Sequence, residues 1–568
     1  MNTHFDQMAY CRPDPQQIRL QASAFLETMK STDDADVFED AFYRFDTLLS
    51  HVDTMYALCY VRHTVDTSDE FYDKENDLWD EETPIYEELH NALAKLMLSS
   101  PLREEMEKRL PLPYFLRAQC DARCFDEKVV PLLQEENRLC SRYDKLLASA
   151  EIELDGKTYN LSGLRALTQS ADREMRRKAH GKMADFFLQN ETVLDEIFDR
   201  LVQVRTAVAQ GLGLKDFTEL GYLRMGRLDY DRRDVAYYRK QVLAHVVPLA
   251  EKLFTRQTER LGYGELRYYD ENFEFLSGNP MPHGTADQLV DAAQEMYDNM
   301  SPQTGDFFRM MRRCGLMDLV TKPKKAGGGY CITLADYKVP FIFSNFNGTA
   351  ADVDVLTHEA GHAFQTYCSN LANIRPSGCM SPTMESCEIH SMSMEFLAWP
   401  WTKLFFGPDT DKYHFLHLSA AVKFIPYGVL VDHFQHEIYA NPQWTPAQRK
   451  TCWRELEKQY LPHKDYRGCS LLERGGWWFR QSHIFTSPFY YIDYTLAQVC
   501  ALQFWQRAQQ KDPQTWPDYV HLCSLGGTKT FRDLLAASHL DDPFKEGCLQ
   551  RIMDSVADYL NGVDDRSL

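Results

Sequence analysis

Positive charge is scarce in this chain: 62 Lys and Arg face 83 Asp and Glu, a net charge of −21. A protein that grips nucleic acid by neutralising phosphates needs the opposite balance, so no nucleic-acid partner is expected. Long apolar runs are missing as well. The most apolar stretch, residues 420–431, is interrupted by Lys423 and Pro426 and is far shorter than the roughly 20 residues that cross a bilayer, so no membrane partner is expected. The opening MNTHFDQMAYCRPDP has no basic segment followed by an apolar block; no secretory signal is read there, and the cytoplasm is the expected location. Fifteen cysteines are few for 568 residues, their number is odd, and no CxxC pair occurs, Cys120 and Cys124 coming nearest. That excludes a disulfide framework or a zinc ribbon and leaves the thiols as small buried hydrophobes. There is no fixed-period repeat and no low-complexity linker.

What remains is ample for a large core, with 44% hydrophobic and 26% charged residues in ordinary globular proportion. Residues 15–260 read as successive amphipathic helices with few Gly or Pro inside the periodic stretches. In residues 170–211, Leu194, Ile197, Phe198 and Leu201 share a face opposite the charges, and Gly211 is a stop signal. The punctuation changes over residues 322–348, where a triple glycine is followed by two short β-rich runs, residues 330–334 and 339–344. This predicts a small hairpin, and Pro340 predicts that its second run is an edge strand, open to pairing with an extended peptide. Helical signals resume to the end. The expected class is mainly α with a small β ribbon.

Directly after the ribbon comes the one HExxH of the chain, His358-Glu359-Ala-Gly-His362. Residues four apart on a helix share a face, so both imidazoles can point at one metal ion, naturally zinc. Glu359 lies one residue round from His358, where a carboxylate can act as general base toward water without ligating the ion. With 18 His and at most 83 acids in the chain, chance supplies only about 0.08 such matches. Gly361 inside the motif costs a helix about 1 kcal/mol unless close packing or function requires it. Two other pairs lack the pattern: His414 and His417 have no acid between them, and His433 and His436 have theirs in the wrong place. A third zinc ligand is needed. Downstream, a helix is expected to open at Ser381 with Pro382 in its first turn. It carries Glu385, Glu388 and Glu395 on one face, and spacing alone does not choose among them.

These motifs resemble the thimet oligopeptidase and oligoendopeptidase F family of zinc metallopeptidases, most of all its shorter bacterial oligoendopeptidases. The residues that carry the likeness are FIFSNFNGTAADVDVLTHEAGHAFQ from Phe341 to Gln365, the Glu388 to Glu395 segment with its acids seven apart, and a His followed by a Tyr-rich run, His483 to Tyr494. The resemblance covers most of residues 160–494. It implies one zinc per chain held by His358, His362 and Glu388, with Glu395 supporting rather than ligating, and Glu359 as base. It also implies oxyanion donors from His483, Tyr494 and Tyr490, in a run that contains Tyr491 too. From it follow a two-lobed helical body around a deep channel, a helical N-terminal region over residues 1–195 and a zinc peptidase region over residues 196–568. The implied function is hydrolysis of internal bonds in short peptides, with the strand at residues 341–345 aligning the substrate backbone. Two other readings stand beside it: a zinc carboxypeptidase, which needs a cation such as Arg480 for the terminal carboxylate, and a non-catalytic, zinc-stabilised peptide-binding protein.

Overall fold

The computed structural model describes residues 3–322 and 324–568. Met1, Asn2 and Pro323, which belong to the N-terminal and glycine-rich stretches read above, lie outside them. Helices dominate. The strands among the described residues form two small sheets: a hairpin of β1 (Ile152–Leu154) and β2 (Lys157–Tyr159), and a three-stranded sheet of β3 (Met317–Val320), β4 (Tyr330–Leu334) and β5 (Val339–Phe346).

The chain makes two compact units, each assembled from three stretches. One contains Met1–Ala122, Met281–Thr410 and Cys500–Asp542; the other contains Arg123–Pro280, Asp411–Val499 and Pro543–Leu568. The boundary read near residue 195 cuts the chain once, whereas compactness in space interleaves its stretches.

In the first unit, helices Pro15–Ser31, Ala35–Val65 and Glu70–Ser99 begin at Asp14, Asp34 and Asp69, whose carboxylates accept the first free N–H groups. The sheet order is β3-β5-β4, parallel on the β3 side and antiparallel on the β4 side. The expected two-strand hairpin therefore has a third strand, and the run expected at an edge, residues 339–344, is in the middle. The reason lies in the alternation of N–H directions along a strand. Ile342 N donates to Leu316 O at 2.9 Å, so the N–H that Pro340 lacks would have pointed the same way, ahead of the point where β3 pairing begins at Ile342. No ladder bond is lost, and the edge strands of the sheet are β3 and β4.

Helix α1 (Ala351–Leu371) packs against β4, β5 and helix α2 (Met384–Leu397). Asp352 joins strand to helix by accepting the N–H groups of Asn347 (2.9 Å) and Gly348 (2.7 Å). α2 starts later than Ser381 predicts. Thr383 is still extended and its carbonyl accepts from Ser386 and Cys387, so Thr383 is the cap and Pro382 precedes the helix.

In the second unit the periodic stretch at residues 170–211 forms two helices, Arg173–Gln189 and Glu191–Gly211, with Leu194, Ile197, Phe198 and Leu201 all buried. The long helix α3 (Thr410–Ala440) is apolar on most sides. The stretch Lys403–Ala440 is long and apolar enough to cross a bilayer, yet 61% of its most apolar window is buried inside the protein. No disulfide joins any of the fifteen cysteines, and ten of them are buried.

Candidate metal centre and active site

His358 and His362 stand one turn apart on α1, with ring centroids 5.1 Å apart. α2 brings in Glu388, whose Oε2 is 3.3 Å from His358 Nε2 and 3.6 Å from His362 Nε2. The three donor atoms lie within 4.8 Å of one another, and no other group of His, Cys, Asp or Glu among the described residues does the same. Glu395, two turns along α2, takes His358 Nδ1 at 2.7 Å and so leaves Nε2 aimed at the centre. Ser391 Oγ donates to Glu388 Oε2 at 3.2 Å. Two imidazoles and a carboxylate are a donor set that catalytic zinc takes, with a fourth position left for water. The electrostatics agree. Burial pushes His358 down, but the hydrogen bonds and charges of Glu388 and Glu395 hold it well above the ordinary histidine range. Burial pushes Glu388 up, and the two imidazoles reverse this to hold it far below the carboxylate range. The centre attracts positive charge, and these residues fit a divalent cation.

α1 and α2 come close enough for this geometry because of Gly361. A Cβ there would lie 2.6 Å from both His390 O and Ser391 Cα, so the backbone of α2 occupies the place of a side chain. Glu359 projects from α1 and is only 8% exposed. A Cβ on Gly329, last of the triple glycine, would be 3.6 Å from Glu359 Oε1, so the loop leading into β4 passes beside this carboxylate. Burial is the main influence on Glu359 and raises its pKa above the usual glutamate range, with His358 and His362 pulling it back. A carboxylate raised in this way is a readier proton acceptor. Glu385, by contrast, is buried on Thr383 Oγ1 at 2.8 Å and stands outside the donor group. His433 and His436 bond Tyr460 OH (3.0 Å) and Tyr222 OH (3.1 Å).

The second unit gathers the predicted oxyanion donors into one aromatic cluster. The His483 ring lies 5.7 Å from Tyr490, 4.9 Å from Tyr491 and 6.0 Å from Tyr494, and Tyr490 and Tyr494 are 5.0 Å apart. His483 sits on the short helix α4 (Ser482–Thr486), and Tyr494 in the first turn of α5 (Ile492–Gln509). Two buried arginines that sequence reasoning missed hold the connecting backbone. Arg205 donates to Ile484 O at 3.3 Å and to Phe485 O, and is fixed by Glu136 at 2.7 Å. Arg227 donates to Phe489 O at 2.9 Å and pairs with Asp493 at 2.6 Å. Phe489 has φ +68°, a left-handed conformation that is strained for a bulky residue. Its N–H is held by Gln435 Oε1 at 2.9 Å, and its ring fills the space beside Gly221, where a Cβ would come within 2.4 Å. Nothing in local sequence marks these partners, because they lie up to 280 residues away.

Residues 5–125 match the family model for the peptidase M3 N-terminal domain, and residues 166–554 match that for peptidase family M3. The chain belongs to peptidase family M3. This M3 chain is thus a metallopeptidase acting on peptides. It is similar to a PZ peptidase A solved with an inhibitor, at 48% identity over 99% of this chain and 100% of that one, TM-score 0.95. A protein described as oligoendopeptidase F is 49% identical over 100% of both chains, TM-score 0.95. Another so described, from Bacillus anthracis str. Ames, is 45% identical over 100% of this chain and 99% of that one, TM-score 0.91. No match was found among curated proteins.

Proposed function

We propose that this M3 peptidase is a zinc-dependent endopeptidase that cuts internal bonds of short peptides, with Glu359 as general base. The observation that carries the reading is the convergence of His358, His362 and Glu388 donor atoms within 4.8 Å, beside a buried carboxylate that is not one of them. His358, His362 and Glu388 would hold the zinc, which when bound would supply Lewis acidity, lowering the pKa of water toward about 7 and polarising the scissile carbonyl. Glu395 holds the His358 ring in place through Nδ1. Glu359 accepts the proton of the attacking water on a carboxylate oxygen and hands it to the departing amine nitrogen. His483, Tyr490 and Tyr494 donate hydrogen bonds to the carbonyl oxygen as it gains negative charge. The free edge of β4, whose entrance loop runs beside Glu359, offers main-chain groups to an extended substrate.

Replacing Glu359 by Gln tests the mechanism. Zinc content measured by atomic emission should stay near about one per chain while kcat/KM falls at least about a thousandfold; unchanged turnover refutes the proposal. Mass spectrometry of products from a peptide blocked at both ends should show internal cleavage. A requirement for a free C-terminus would favour the carboxypeptidase reading instead.

A further inference from the structure

On one face of the three-stranded sheet a row of rings runs outward to solvent. Tyr330 on β4 lies directly opposite Phe343 on β5, and the two rings stack at 4.8 Å with 7° between their planes. The row continues onto helix Ala35–Val65, where the Tyr60 ring is 5.2 Å from Tyr330 and Tyr56, one turn back, stacks on Tyr60 at 5.9 Å. Exposure grows along it, from buried Phe343 through part-exposed Tyr330 and Tyr60 to Tyr56 at 38%. The outer end is held in place. Trp79 packs edge-on to Tyr56 at 5.6 Å and donates through Nε1 to Tyr10 OH at 3.1 Å.

Helix Ala35–Val65 runs antiparallel alongside β4: Thr64 Oγ1 is 2.5 Å from Tyr330 OH, and Thr54 Oγ1 accepts from the Asp336 N–H at 3.0 Å. The other face of β4 looks onto α1. There a Cβ on Gly329 would be 3.6 Å from Glu359 Oε1, and Thr333 Oγ1 is 3.5 Å from Thr366 Oγ1. Neighbouring residues 329 and 330 therefore meet the catalytic carboxylate and the aromatic row on opposite faces.

β4 is an edge strand, and a peptide extended along it turns alternate side chains to the two faces. A substrate residue opposite Tyr330 on the ring face comes within about 5 Å of it, Cβ to Cβ, and so extends the row. The place is recessed. Asp53 shares the flank of the helix that carries Tyr56 and Tyr60 and is exposed, yet burial, and next the charge of Asp46, raises its carboxyl to about 6.

We propose that Tyr330, Tyr60 and Tyr56 form a subsite for an aromatic side chain of the substrate, within two residues of the scissile bond. The subsite rests on the endopeptidase reading, with the substrate on the β4 edge, and names the side chain that this register selects.

Zinc-loaded wild type, Tyr60→Ala, Tyr60→Phe and Tyr56→Ala are compared on blocked peptides that differ only in Phe or Leu at one of the two positions on either side of the cleaved bond. At one of these positions wild type should favour Phe about threefold or more in kcat/KM, within the range that ring–ring contacts add beyond apolar area. Tyr60→Ala should bring that ratio to about one, Tyr60→Phe should keep it, and Tyr56→Ala should lower it. Melting temperatures check folding, and Tyr56→Ala, at the exposed end of the row, keeps the test decisive if Tyr60→Ala does not fold. A wild type without preference at any of the positions, or a preference that both alanine variants keep, overturns the subsite. If wild type cleaves no peptide at all, the endopeptidase reading fails on its own. Fluorescence titration of the same labelled peptides into Glu359→Gln protein then still measures whether binding discriminates Phe from Leu, and equal affinities refute the subsite.

Discussion

Glu395 stands outside the donor group of His358, His362 and Glu388, yet it holds the His358 ring. Its 2.7 Å contact with His358 Nδ1 selects the tautomer and ring orientation that aim Nε2 at the centre. Glu395→Gln should keep the fold and lower zinc affinity or activity by about 10–100-fold, to be read by competition with a chromophoric chelator. Unchanged affinity would mean that packing alone orients the ring. The sequence made His358 and His362 legible through spacing, and it placed Glu388 and Glu395 on one helix. Choosing between those acids took the resemblance, because both lie on the same helical stripe and both reach His358, Glu395 at Nδ1 and Glu388 at Nε2. Arg205 and Arg227 were not legible at all: a buried guanidinium that holds carbonyls far along the chain leaves no local pattern.

Among the elements, the approach of α1 to α2 is the decisive packing event. Gly361→Ala improves helix propensity by about 1 kcal/mol, but its Cβ would meet the α2 backbone 2.6 Å away, where no flexible side chain can yield. Overpacking of this kind costs about 1–3 kcal/mol. It should also shift Glu388 away from the two imidazoles. The expected outcome is a lower melting temperature together with weaker zinc binding; a drop in melting temperature with zinc affinity intact would separate packing from ligand placement. The small sheet teaches a related lesson. Pro340 argued for an edge, and a strand centre can hold it because β3 is short and begins two residues later. Where a neighbouring strand starts cannot be seen from the proline itself.

At the scale of the molecule, three histidines of the second unit are buried as neutral rings. Burial lowers His180 and His463 to about 3 and His436 to about 4, against about 6.5 when unfolded. Folded pKa values below the unfolded one mean that the unfolded chain binds more protons, so stability is full above pH about 6.5 and is lost as pH falls toward the folded values. Each such ring can add a slope approaching about 1.4 kcal/mol per pH unit. Calorimetry between pH 7 and about 4 should show a falling melting temperature, and His436→Gln should flatten that fall. A pH-independent melting temperature would sink the assignment of these rings as neutral. The sequence alone determined the helical class and the placing of His358, Glu359 and His362 on one stretch of helix, because helical periodicity and i, i+4 spacing are local properties. The tertiary structure decided which carboxylate lies near both imidazoles, which strands are the sheet edges, how distant arginines fix the His483 to Tyr494 backbone, and how six stretches of chain sort into two units. Those outcomes depend on the close approach of residues far apart in the chain, and only the packed backbone fixes such distances.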